Sequence, residues 1–323
     1  MFTRQLGKTG YKVSEIGFGA WGIGGAMWQG SDDKESLIAL NKAVELGVNF
    51  IDTALAYGDG HSEKLIGKLL RSRSERIYVA SKIPPKNRQW PARDGVPFQE
   101  TFPKQYIIEC TENSLRNLRA ECLDLQQFHV WSDTWSEVSE IWSAVESLKK
   151  EGKVAHFGIS INDHQPASAL KAAATGLIDS FQVIYNIFDQ SPEDELFPYC
   201  QKNNIGVIVR VPFDEGGLTG RVTPETKFPE KDWRNDYFRG DRKRHVAERV
   251  EKLKTLLGAE ARTLPELALR FCLSHPAVST IIPGIRTIAH AESNTAVSDG
   301  KKLSSPLLIE LRKHRWVRNF YGE

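Results

Sequence analysis

Short apolar runs alternate with longer segments of helical periodicity along most of this chain. Eight runs are rich in Val, Ile and Phe: Ile16–Gly19, Asn49–Asp52, Ile77–Ser81, Leu125–Val130, Val154–Ser160, Ser180–Ile184, Gly206–Val211 and Ser279–Pro283. Continuous apolar character is what strands of a parallel sheet covered on both faces require. Between the runs, helix starts are marked by side chains that can cap free backbone amides. Asp32 with Glu35, Thr134 with Glu137, and Thr263 with Glu266 have capping-box spacing, and Ser191-Pro192 places proline at a first helical position. The Thr134 box precedes Val138, Ile141, Trp142, Val145 and Leu148 on one face, with Gly152 as a stop. Pro198 is expected to kink or end the helix begun at Ser191.

Eight strand–helix units in 323 residues predict an α/β fold, the (β/α)8 TIM barrel, with 1–323 as a single domain. A doubly wound open sheet usually has fewer strands. Phe2–Leu6 and Lys12–Glu15, flanking Gly7–Gly10, predict an N-terminal β-hairpin across the bottom of the barrel. The connections after strands 3 and 7, residues 84 to 103 and 212 to 243, lack periodicity and are long for plain loops. Both follow strand C-termini. Trp90, Trp233, Tyr237 and Phe238 make them aromatic, either as lids over a ligand or as packing on the barrel rim.

Apolar residues at 40% and charged residues at 26% describe a globular chain with a sizeable core. Basic and acidic residues nearly balance, 43 against 41, which leaves no electrostatic case for nucleic acid or a membrane surface as partner. No apolar run approaches the roughly 20 residues of a membrane span. The opening MFTRQLGKTG lacks a secretory apolar stretch, so a cytoplasmic protein is expected. Cys110, Cys122, Cys200 and Cys272 are too dispersed for a zinc site or a disulfide framework. Buried reduced thiols and no metal are expected.

Gly17-Phe-Gly19-Ala-Trp21-Gly22 has GxGxxG spacing, but no helix signal appears before Asp32. A dinucleotide fingerprint needs a helix N-terminus at once. The segment reads instead as a glycine-rich loop above the first strand, where a ligand approaches the backbone around Gly19 and Trp21.

Chemistry gathers at the strand ends. Asp52 ends the second strand with Tyr57 five residues on, Lys82 ends the third, and His129 lies near the end of the fourth. In a barrel these tips are neighbours around one rim, so four groups far apart in sequence converge.

The segments NFIDTALAYGDGHSEKLIGKLL, IYVASKI and LDLQQFHVW resemble the aldo-keto reductases, and the resemblance runs over nearly the whole chain. Asp52, Tyr57, Lys82 and His129 stand at that family's four catalytic positions. The resemblance implies an oxidoreductase reducing a small-molecule aldehyde or ketone with NADPH (NADP+ in reverse), with NADH second, as a monomer or small homo-oligomer. It implies Tyr57 as general acid, its pKa lowered from about 10 by Lys82, with Asp52 pairing Lys82 and His129 orienting the carbonyl.

The resemblance also assigns a cofactor seat. Ser160, Asn162 and Gln182 are expected at the carboxamide, although Ile161 intervenes where the asparagine usually follows the serine. Arg210 stands where an aromatic residue often stacks on the nicotinamide. Gly216, Gly217, Leu218 and Gly220 resemble the pyrophosphate loop, and Gly284, Arg286, His290 and Asn294 the adenosine segment. A cation at Arg286 suits a ribose 2′-phosphate, which favours NADPH. Trp21, Trp28, Trp90 and Trp131, with Tyr57 and His129, are expected to line the substrate pocket, core packing being the competing expectation for the tryptophans. Two alternative activities remain: a Schiff-base aldolase using Lys82, and a nucleotide-binding redox-sensing subunit with slow turnover.

Overall fold

The computed structural model describes residues 1–25, 30 and 32–319. Strands β1 (Thr3–Gln5) and β2 (Lys12–Ser14) pair antiparallel as the expected hairpin. Then β3 (Phe18–Gly19), β4 (Phe50–Asp52), β5 (Tyr78–Ile83), β6 (Leu123–Phe128), β7 (Val154–Ser160), β8 (Ser180–Ile184), β9 (Gly206–Arg210) and β10 (Thr280–Ile281) form one parallel sheet. Their order in space is their order in sequence. The first and last of these strands meet. Gly17 N donates to Ile281 O at 2.7 Å, Ile281 N to Glu15 O at 3.0 Å and Gly19 N to Pro283 O at 3.0 Å, with bridges at Ile16–Ile281 and Gly19–Gly284. The sheet therefore curls into the (β/α)8 fold.

This seam explains Gly19. A Cβ there would sit 2.5 Å from the Ile282 carbonyl, so the missing side chain permits strand closure. Gly24 serves the loop in the same way, since a Cβ would lie 2.9 Å from the Tyr57 backbone.

The floor is apolar. Leu6 and Val13 of the hairpin pack with Phe50, Ala80, Leu125, Ile208 and Ile282 inside the strands. Side chains alternate along a strand, so the inward residues one step nearer the C-terminal ends are Asp52, Lys82, Gln127 and Gln182. A dry floor thus lies directly beneath a polar layer.

The larger core lies between the sheet and the helices. Trp131 belongs to it: fully buried, its ring packs 5.3 Å from Phe128, 5.7 Å from Trp135 and 5.5 Å from Trp142. Of the two expectations for Trp131, core packing is the one realised.

Two caps follow the sequence and two details differ. Asp32 accepts from Glu35 N at 2.9 Å and Thr263 from Glu266 N at 3.3 Å. Thr134 caps no α-helix. It lies in a 3-10 turn, Asp133–Trp135, capped by Ser132, and the helix starts later, at Ser139–Lys150. At Ser191 a 3-10 turn, Ser191–Glu193, stops and the helix Leu196–Asn203 restarts. Pro198 therefore falls in a first turn, where its missing N–H costs nothing.

The long connections hold short helices, Phe98–Thr101 in one and Arg234–Tyr237 in the other. Tyr237 and Phe238 are buried against the rim, whereas Trp90 is 40% exposed and Trp233 packs 6.2 Å from Trp21. Cys110, Cys200 and Cys272 are buried free thiols, and Cys122, expected to be buried, is exposed. No described helix is long and apolar enough to cross a membrane.

Candidate active site

Four strand tips deliver one connected polar cluster. Lys82, fully buried, places Nζ 2.5 Å from Asp52 Oδ2, 2.8 Å from Thr53 O and 3.2 Å from Tyr57 Oη. Asp52 Oδ1 accepts from Gln182 Nε2 at 2.7 Å and Gln127 Nε2 at 3.3 Å. One carboxylate oxygen thus faces the ammonium while the other is anchored by two amides. Burial alone would lower the Lys82 pKa, but Asp52 and Tyr57 outweigh it and raise the value. Lys82 is held as an ammonium.

Tyr57 lies in the turn after β4. Behind it, fully buried Glu63 on helix His61–Arg71 accepts from Ser81 Oγ on β5 at 2.5 Å, fixing the helix to the strand that carries Lys82. Burial raises the Tyr57 phenol, Lys82 pulls it down, and Asp52 pushes it up again. The net direction is upward. The expected lowering by Lys82 is present but is outweighed by desolvation.

His129 stands beside Tyr57, ring centroids 5.7 Å apart, and the Trp90 ring lies perpendicular to it at a centroid distance of 4.5 Å. Burial, then Lys82 and Arg210, hold its pKa well below the ordinary value, so the imidazole is neutral. Its buried Nδ1 has no hydrogen-bond partner. Trp21 stacks over Tyr57 at 6.3 Å. The structure brings Tyr57, His129, Trp21 and Trp90 together, Trp131 lies in the core, and Trp28 lies outside the described residues.

The sequence model of the Aldo/keto reductase family matches residues 15–314. The chain belongs to that family. It is 30% identical to the aldo-keto reductase YhdN of Bacillus subtilis, over 91% of this chain and 88% of that one. It is 29% identical to an NADH-specific methylglyoxal reductase of Escherichia coli, over 90% and 91% of the two chains. The holo form of aldo-keto reductase AKR11C1 from Bacillus halodurans superposes with a TM-score of 0.76 at 28% identity, covering 99% of each chain.

Within this family member the residues expected at a cofactor divide into two groups. Arg286, Arg221 and His290 gather at the start of helix Ile288–Thr295, whose N-cap Thr287 accepts from His290 N at 3.2 Å. Burial, then Arg221 and Arg286, lower the His290 pKa, and its Nδ1 is buried without a partner. Cations, helix amides and an orphaned ring nitrogen fit a phosphorylated ribose. Asn294 lies buried on the same helix, and Arg286 also donates to Gly30 O.

Other expectations need adjustment. Leu218 is buried, leaving only its backbone for a ligand. Gly217 makes room for Asp214, whose Oδ2 would be 2.5 Å from an added Cβ. Gly216 and Gly220 flank it in and after the 3-10 turn Asp214–Thr219, and Gly284 sits exposed after β10. Ser160 pairs in register with Gln182, whose Nε2 is committed to Asp52 and Gln127. Arg210 Nη2 donates to Ile161 O at 2.8 Å and to Asp163 Oδ1 at 2.5 Å. Asn162 is bonded to the loop after β5 rather than open to the site.

Gln127, Glu63, Asp163, Glu215 and Arg221 escaped the sequence reading. Gln127 was findable, since it lies two residues before His129 and so shares its face of the strand. Among the described residues no three His, Cys, Asp or Glu side chains cluster to hold a metal.

Proposed function

We propose that the protein, working as a single barrel domain, is an NADPH-dependent reductase of a small-molecule aldehyde or ketone, with Tyr57 as proton donor. The observation that carries this reading is the Lys82 ammonium seated between Asp52 and Tyr57, at 2.5 and 3.2 Å. When bound, the dihydronicotinamide supplies the hydride. His129, neutral, donates a hydrogen bond to the carbonyl oxygen and orients it toward the phenol. Tyr57 delivers its proton to the developing alkoxide. Lys82 stabilises the phenolate left behind, in a dry setting where that charge interaction is strong. Asp52 keeps Lys82 charged and in place, and solvent reprotonates Tyr57.

Trp21 and Trp90 wall the site with aromatic faces, which suits apolar or sugar-like carbonyl compounds. The relative named as a methylglyoxal reductase supports a small aldehyde as the first substrate to try. A Schiff base on Lys82 requires a neutral amine, and Asp52 opposes that.

The test follows nicotinamide absorbance with NADPH, then NADH, over aldehydes, ketones and sugars. Sustained turnover, faster with NADPH, is expected. No turnover with either cofactor, or borohydride trapping of substrate on Lys82, overturns the reading. Arg286→Ala should weaken NADPH binding about tenfold, worth about 1.4 kcal/mol, and leave NADH nearly unchanged. Equal weakening of both removes the phosphate role.

A further inference from the structure

Asn162 spends every hydrogen bond it has on protein. An asparagine amide offers two lone pairs and two N–H donors. Here Oδ1 accepts from Ala92 N at 3.2 Å and Trp131 N at 3.4 Å. Nδ2 donates to Ala92 O at 3.1 Å and to Gln165 Oε1 at 3.1 Å. The side chain is 5% exposed. No donor or acceptor is left for a cofactor carboxamide.

What Asn162 holds is informative. Ala92 is gripped by both its N–H and its C=O, as one strand grips another, although it lies in the long connection after β5. Two residues earlier in that connection stands Trp90, whose ring packs perpendicular to His129 with centroids 4.5 Å apart. Farther along, Asp94 accepts from Ser132 Oγ at 2.6 Å and Val96 O from Trp135 Nε1 at 2.8 Å. The far part of the loop is therefore tied to the turn after β6, and the part beside the site is tied to Asn162.

The residues on either side complete the picture. Ile161 O and Asp163 Oδ1 both receive Arg210 Nη2. A three-residue segment at the end of β7 thus holds the Trp90 loop on one side and Arg210 of β9 on the other. The residue inserted between Ser160 and Asn162 and the arginine on β9 meet in one contact.

We propose that Asn162 is a specificity-determining positioning residue, clamping the Trp90 loop over His129 and so setting the shape of the substrate pocket. It does not bind the cofactor. The substrate arm of the test rests on the reductase reading above, and the loop arm does not.

In the full-length protein, Asn162→Ala is expected to raise deuterium exchange across the loop around Ala92. It should also change the kcat/KM ratio of 4-nitrobenzaldehyde to methylglyoxal by about tenfold, while the Kd of NADPH stays within about twofold. Trp90→Ala should shift the same ratio, and the double variant should add little, because both act through one wall. Asn162→Asp keeps the acceptor oxygen, loses both donors, and serves if Asn162→Ala melts early. An unchanged ratio or unchanged loop exchange overturns the clamp. A tenfold loss of NADPH affinity with the ratio intact overturns it in favour of a cofactor ligand. If the wild-type protein turns over neither aldehyde, the reductase reading fails, and loop exchange still decides the clamp.

Discussion

Gln182 Nε2 lies 2.7 Å from Asp52 Oδ1, so a glutamine on β8 orients a carboxylate on β4 across the barrel interior. The contact turns Asp52 so that its other oxygen meets Lys82. With Gln182→Leu, only the longer bond from Gln127 remains on that oxygen. Misplacement of this kind is expected to lower kcat on the order of 10- to 100-fold. Steady-state kinetics beside a melting curve checks this, a fall in kcat at near-native Tm being the expected result.

Tyr57→Phe removes the proton donor and leaves the ring. Turnover should fall on the order of 10²- to 10⁴-fold, with NADPH affinity retained in a fluorescence titration. Reduction needs the protonated phenol, and burial holds the Tyr57 pKa above its ordinary value. The rate limit from this group should appear only at strongly alkaline pH. A loss of rate near neutrality that tracks Tyr57 would contradict the assignment.

Glu215 carries the opposite kind of consequence, for stability. Burial, then Asp163 and Asp214, raise its pKa from 4.5 to about 8. Below the unfolded value both states are protonated and nothing is lost. As pH rises toward 8, the unfolded chain releases this proton first, so folding is penalised. Glu215→Gln should therefore raise Tm most at pH 8 and above, with the gain fading as pH falls toward 5. A gain that is independent of pH would show that the carboxyl does not titrate in this way.

Arg318, in the segment after the last helix, places Nη2 2.7 Å from Asp214 Oδ2, and Tyr237 Oη donates to Asp214 Oδ1 at 2.6 Å. Both ionic side chains are buried. Arg318→Leu leaves an uncompensated carboxylate and should cost about 3–5 kcal/mol. Adding Asp214→Leu should recover part of that loss. Denaturant unfolding of the two variants measures it, and equal stability of single variant and wild type would mean the pair contributes nothing.

The strands were legible because a parallel sheet covered on both faces demands continuous apolar runs, and Val154–Ser160 and Ser180–Ile184 match their runs residue for residue. The four polar strand ends were legible too, since a barrel makes consecutive tips neighbours. Thr134 opens no helix because Ser132 caps the adjacent turn first, a competition that local spacing does not reveal. The part of Gly19 in closing the barrel was not legible, because the seam it permits joins residues more than 260 positions apart. Trp131 and Trp90 were indistinguishable as letters, yet one is sealed in the core and the other faces His129.

The periodicities, the strand order and the set of chemical groups that reach one rim follow from local patterning and chain connectivity. How each amide spends its hydrogen bonds, and whether burial or a neighbouring charge governs each titrating group, emerge only in the folded molecule. Those outcomes depend on distances of a few ångströms between distant segments, and on the water excluded when the segments meet.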